Sequence, residues 1–138
     1  MKKKILVLIP AVAVAIAIIL YEFFIPASRT FGRNKLLLEY FYHLKEHADW
    51  NIIAGERCEN APFSFPTTGY IGFLWDDYFK IGHPHQGLDI FAGTGPGKVP
   101  VYAVYDGYIN RQSDWRSSLI LRIPNDPLEP GRQIWVYY

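Results

Sequence analysis

The 138-residue sequence predicts a mainly β domain, an antiparallel sheet or sandwich, preceded by one transmembrane helix and a short amphipathic helix. Three observations predict it. An uncharged apolar run opens the chain, a helical spacing of apolar residues follows, and the second half alternates apolar and polar residues between prolines and glycines. The organisation expected from them is an anchor over 1–25, a linker and helix over 26–50, and a β domain over 51–138.

From Ile5 to Tyr21 the chain carries no charge, and it stays apolar through Phe23, Phe24 and Ile25 with only Glu22 between. About twenty such residues span a hydrocarbon core as a helix. Lys2, Lys3 and Lys4 before it favour a cytoplasmic N-terminus and send the rest outward. Arg29, Arg33 and Lys35 on the far side weaken that bias. A cleaved signal peptide is the competing reading, but its apolar core is shorter, and Ile25-Pro26-Ala27 matches the small-x-small cleavage pattern poorly. Both readings export the domain.

Pro26 to Gly32 reads as a linker, and Asn34 as a helix cap. Leu36, Leu37, Tyr40, Phe41, Leu44 and Ala48 then follow close to one helical face, ending near Asp49-Trp50. Val99 to Tyr105 alternates like a strand, and Asp106-Gly107 is a hairpin turn signal before Tyr108 and Ile109. Ser118 to Ile123 is a second strand, with Leu119, Leu121 and Ile123 on one face. Pro124 to Gly131 is a polar loop, and Arg132 to Tyr138 a third strand. That strand runs to the last residue with no turn or polar tail, which leads us to expect a chain cut within an element, with an exposed sheet edge.

Composition excludes some classes of function. A net charge of +1, with no basic face beside the aromatics, leaves nothing to grip nucleic acid. The single cysteine, Cys58, precludes an intramolecular disulfide and is expected to be a buried free thiol. His43 and His47 lie four apart, a spacing that can chelate metal, but His-Leu-Lys-Glu-His is not the zincin pattern, so a helix surface is the expected role. Asp76 and Asp77 read as a solvated loop, and Asp106 as a turn residue.

The densest set of candidate ligands is His83-Pro84-His85-Gln86-Gly87-Leu88-Asp89. Imidazole and carboxylate both suit zinc, and an open catalytic site uses three such ligands plus water. Gly87 allows the backbone to bend so that His85 and Asp89 face one ion. His83, two residues from His85, is expected beside that site, supporting a ligand or lining the substrate groove.

Further stretches extend the pattern. Gly69-Tyr70-Ile71-Gly72, His85-Gln86-Gly87-Leu88-Asp89-Ile90-Phe91-Ala92, Gly97-Lys98-Val99-Pro100-Val101-Tyr102-Ala103 and Asp106-Gly107-Tyr108-Ile109 stand in order. Together they resemble the lysostaphin/LytM-type zinc endopeptidases, over Phe65 to Tyr138. The resemblance implies a LytM-like β domain with His85 and Asp89 as zinc ligands, zinc as cofactor, and cell-wall peptidoglycan as substrate. With the apolar N-terminus it implies a single-pass protein of the cell membrane, its C-terminal domain on the extracellular or periplasmic side. The family's third ligand and its catalytic histidines belong to later motifs that this sequence does not contain, so they are expected beyond Tyr138 and the chain as it stands is expected to be inactive. The alternative is a non-catalytic LytM-like module that binds cell wall or a partner. A biotinyl or lipoyl carrier centred on Lys98 lacks the flanking methionine that such lysines have.

Overall fold

The computed structural model describes residues 2–80 and 83–138 of the chain. They pack as two units, one comprising Met1–Asp49 with Ile71–Phe91 and the other Trp50–Tyr70 with Ala92–Tyr138.

The first unit is built on α1, a single helix from Lys2 to Tyr42. Pro10 and Pro26 lie inside it, and each removes one backbone donor. The stretch read as a linker, 26–32, is helical as well. At the C-terminal end the amide of His43 is shared between the carbonyls of Glu39 (3.0 Å) and Tyr40 (3.3 Å). Such bifurcation tightens the last turn. A turn over 44–47 and a 3-10 turn at Ala48–Trp50 follow in place of the continuous second helix expected there.

Two corrections to the predicted fold class arise here. Among the described residues, no helix is long and apolar enough to cross a membrane. The expected anchor over 1–25, and single-pass membrane placement with it, is therefore not supported. The helix does not set off an apolar segment but runs on through Glu22, Arg33, Lys35 and Glu39. The side chains of residues 1–9, 11, 23, 25–27 and 29, which include the three lysines and part of the apolar run, lie outside the described residues.

The second correction concerns the sheet. No sandwich forms among the described residues, and the strands are only two to four residues long against 41 in α1. "Mainly β" thus overstates them. The expected strand over 99–105 makes no ladder and bends at 99 and at 104–105. Its backbone is held piecemeal, by Tyr102 N–H to Pro66 O (2.7 Å), Ser64 N–H to Val104 O (3.0 Å) and Thr67 Oγ1 to Pro100 O (2.9 Å). Pro100 cannot donate to a ladder at all.

Within the first unit, β3 (Tyr78–Lys80) and β4 (His83–Pro84) form an antiparallel hairpin, with Lys80 opposite His83 and Tyr78 opposite Pro84. β5 (Ile90–Phe91) follows. An aromatic cluster joins these elements to the helix. Tyr40, 2% exposed, meets Phe41 edge-on at 5.6 Å, Phe41 meets Phe91 at 5.6 Å, and Phe91 meets Phe73 at 6.4 Å. Edge-to-face pairs of this kind add to the burial of the rings themselves. The Tyr40 hydroxyl donates to Phe91 O at 3.3 Å, so the buried phenol is satisfied.

In the second unit, β1 (Asn51–Ile52) pairs with the start of β2 (Gly69–Ile71), Asn51 opposite Tyr70 and Ile52 opposite Gly69. β6 (Tyr108–Asn110), β7 (Ile120–Ile123) and β8 (Ile134–Tyr137) form an antiparallel sheet in that order. The two later strands fall where their alternation predicts. Leu121 and Ile123 are fully buried, and across the ladder they face Val136 and Ile134. Trp135 and Tyr137 occupy the other face and stay exposed. The Tyr138 hydroxyl accepts the Val104 N–H at 2.9 Å, which ties the segment after β8 to the 99–105 stretch. Burial pushes the Tyr138 phenol above its ordinary value, partly offset by that hydrogen bond.

The loop between β7 and β8 is closed by a buried acid. Asp126 accepts the Leu128 N–H at 2.8 Å through Oδ1, and its Oδ2 pairs with Arg132. The Leu128 amide foremost, and then the Arg132 guanidinium, hold the Asp126 carboxyl below its ordinary 3.8, against a desolvation that acts the other way. A depressed carboxylate stabilises the fold fully above its ordinary value, and that stabilisation is lost as pH falls through the lower folded value. Asp126→Asn removes the charge that pairs with Arg132. It is expected to lower the denaturation midpoint near neutral pH and to flatten the acid limb of the stability profile, read by urea unfolding at stepped pH.

Two glycines are fixed by close approach. A Cβ on Gly72 would lie 2.6 Å from Phe91 Cδ2, and one on Gly107 would lie 2.5 Å from the Arg122 carbonyl oxygen. A ring can pivot and a strand backbone cannot. Gly72→Ala is expected to cost about 1–3 kcal/mol, the usual range for overpacking, and Gly107→Ala more. Equilibrium denaturation of the two variants checks the ranking.

Candidate functional site

The candidate site lies in the first unit and is built on a tight turn. Leu74 O accepts the Asp77 N–H at 3.1 Å, and the Asp77 carboxylate returns to the Leu74 N–H at 2.8 Å. Asp76, between them, takes a left-handed φ of 65°, a conformation that Asp and Asn tolerate better than most residues. Asp77 is also fixed from the helix, since Arg33 Nε lies 3.2 Å from its Oδ2. These two side chains line an open cleft of about 390 Å³ with Gly32 and Leu36.

His85 docks on this turn by backbone and side chain together. Its N–H donates to Asp77 O at 2.7 Å, and its carbonyl accepts the Asp76 N–H at 2.8 Å. Its Nδ1 lies 3.2 Å from Leu74 O, while its ring rests 6.0 Å from Phe73, centroid to centroid. Asp89 is placed by two backbone bonds, its N–H to Phe73 O (2.9 Å) and its carbonyl to Gly72 N–H (3.0 Å). The outcome is that His85 Nε2 stands 3.1 Å from Asp89 Oδ1. The imidazole is mostly covered, with 18% of its side chain exposed, and the carboxylate is open at 45%.

The chemistry of this pair follows from the donors. A carbonyl oxygen only accepts, so Nδ1 carries a proton. In a neutral ring Nε2 would then aim a lone pair at a carboxylate oxygen. A cation shared between them, either a proton on Nε2 or a metal ion, removes the conflict. Histidine ligands to metals ordinarily donate the other ring N–H to a carbonyl or carboxylate, as His85 does to Leu74. The donor types and their separation fit one edge of a zinc shell, where Zn–N and Zn–O distances of about 2.0–2.2 Å set the ligand atoms roughly 3.3 Å apart.

The structure thus brings His85 and Asp89 together, with Gly87 beside the His85 ring. His83 lies exposed on β4, and among the described residues no three His, Cys, Asp or Glu side chains gather into a metal site. Asp77, expected as a solvated loop residue, is instead a structural hub. Cys58, expected to be buried, is exposed and free. Asp106 and Lys98 are exposed. His43 and His47 sit at the end of the helix among Glu39 and Glu46. Sequence reasoning missed Leu74 O and Arg33, neither of which carries a motif; the one visible signal was Asp three residues after Leu74, the spacing of a side chain that caps its own turn.

No family model matches the chain, and no match is found among curated proteins or among solved structures.

Proposed function

We propose that the chain is a zinc metalloendopeptidase-like protein of the lysostaphin/LytM type, with His85 and Asp89 as two of its zinc ligands. The family's reaction is hydrolysis of peptide bonds in peptidoglycan cross-links. One observation carries the reading: His85 Nδ1 is committed to a backbone carbonyl while Nε2 faces a carboxylate oxygen at 3.1 Å. Zinc bound there would polarise a scissile carbonyl and acidify a bound water. The residues around it hold the ligands in place. Leu74 O sets the ring tautomer, the Arg33–Asp77 pair fixes the turn, and Phe73 packs against the imidazole. The 138 residues include four histidines, and the other three (His43, His47 and His83) do not join His85 and Asp89 in a three-ligand set among the described residues. We therefore expect weak metal binding and no peptide hydrolysis from this chain alone.

That same lack of a third ligand favours a second reading, a non-catalytic module that binds cell wall or a partner. Retention on insoluble peptidoglycan, unchanged in Asp89→Ala, would support it over the first.

For the metal reading, zinc added to the full chain should shift the imidazole NMR signals of His85, and Asp89→Ala should abolish the shift. Signals that do not move, or that move equally in the variant, would overturn it. Asp77→Ala leaves both ligands in place but frees the turn. It is expected to weaken zinc binding about 10–100-fold, the usual cost of losing an outer-shell support.

A further inference from the structure

We propose a second, separate cation site at the C-terminal end of α1: a two-histidine chelate of His43 and His47 for a borderline divalent ion of the zinc class. Just past the end of α1, where the chain enters the turn over 44–47, Glu39 O accepts the His43 N–H at 3.0 Å and His43 O accepts the His47 N–H at 3.1 Å. The side chains of Glu39, at the end of α1, and of His43 and His47, just after it, meet there. The two imidazoles meet edge to face with centroids 6.2 Å apart. Their Nε2 atoms converge on one oxygen, Glu39 Oε1, at 3.9 Å from His43 and 3.4 Å from His47. Glu46 adds a second carboxylate 3.5 Å from His43 Nδ1.

Two imidazoles whose Nε2 atoms already converge on one point can share one metal ion by side-chain rotation alone. The placement is also favourable electrostatically. The last turn of α1 holds no basic residue, and the negative end of its dipole favours a cation there. Two carboxylates beside the imidazoles deepen that potential. Among the described residues the histidines and glutamates are not already set as a three-ligand site, so the ion takes two nitrogens and completes its shell with water, while Glu39 supplies charge. The His43 side chain is 44% exposed, which leaves room for those waters.

The inference is independent of His85 and Asp89, and its test removes them. In the full chain carrying His85→Ala and Asp89→Ala, isothermal titration with zinc chloride is expected to show one bound ion. Adding either His43→Ala or His47→Ala should eliminate that binding, since each removes half of the chelate. His47→Gln keeps a polar side chain of similar length and should lose binding equally, with the far-ultraviolet helix signal unchanged. Absence of zinc binding in the parent double variant would overturn the proposal. So would binding that survives both single histidine substitutions.

Discussion

The hydrogen bond from His85 Nδ1 to the Leu74 carbonyl decides what the rest of the first unit can do. It chooses the tautomer, so Nε2 cannot donate from a neutral ring, and it points that nitrogen at Asp89. The carbonyl is in turn held by a turn that cannot open cheaply. Asp77 closes it by side chain and backbone, and Arg33 holds Asp77 from a helix 44 residues earlier in the chain. Ion pairs near the surface are ordinarily worth little, and the Arg33–Asp77 pair is mostly covered, with 31% of the arginine and 14% of the aspartate side chain exposed. Its role is positional, because it makes the helix a fixed reference for the turn.

The aromatic cluster serves the same end from the other side. Phe73 touches both the His85 ring and Phe91, and Phe91 is anchored to the helix by Phe41 and by the Tyr40 hydroxyl. Gly72 must be small so that Phe91 can lie against the backbone that pairs with Asp89. The ring of His85 is thus clamped between a hydrogen bond and a packed phenyl ring. Such clamping reduces the rotamer freedom that a ligand would otherwise lose on binding a cation.

Legibility in the sequence varied with how local the deciding interaction is. His85 and Asp89 could be paired from spacing, because four residues bent at Gly87 define their approach almost without help from the rest of the chain. Leu121 and Ile123 were legible for a similar reason, since strict alternation marks the buried face of a strand. The 99–105 segment alternates equally well, yet it forms no ladder, because its partners at 64–67 and Tyr138 bond to it irregularly. Helix α1 was misread as two elements. Pro26 and Gly32 look like punctuation, but a helix already propagating on both sides absorbs them at a few kcal/mol. Asp77 was misread because acidic loop residues are usually solvated, and only the fold brings Arg33 to it.

His43–His47 and His85–Asp89 show why spacing alone does not assign a role. Both are four apart or close to an acidic residue four apart, and both carry a ring nitrogen near a carboxylate. At His85 the second nitrogen is spent on a carbonyl, so the first has one orientation and one neighbour to satisfy. At His43 both nitrogens face carboxylates, Glu39 on one side and Glu46 on the other, so the ring has two acceptors to choose between. A cation competes there with protons for the same lone pairs, whereas at His85 the carbonyl has already removed one of the two choices. The backbone contact is what makes His85 the more preorganised ligand, whereas the His43–His47 chelate depends on two rings converging on Glu39.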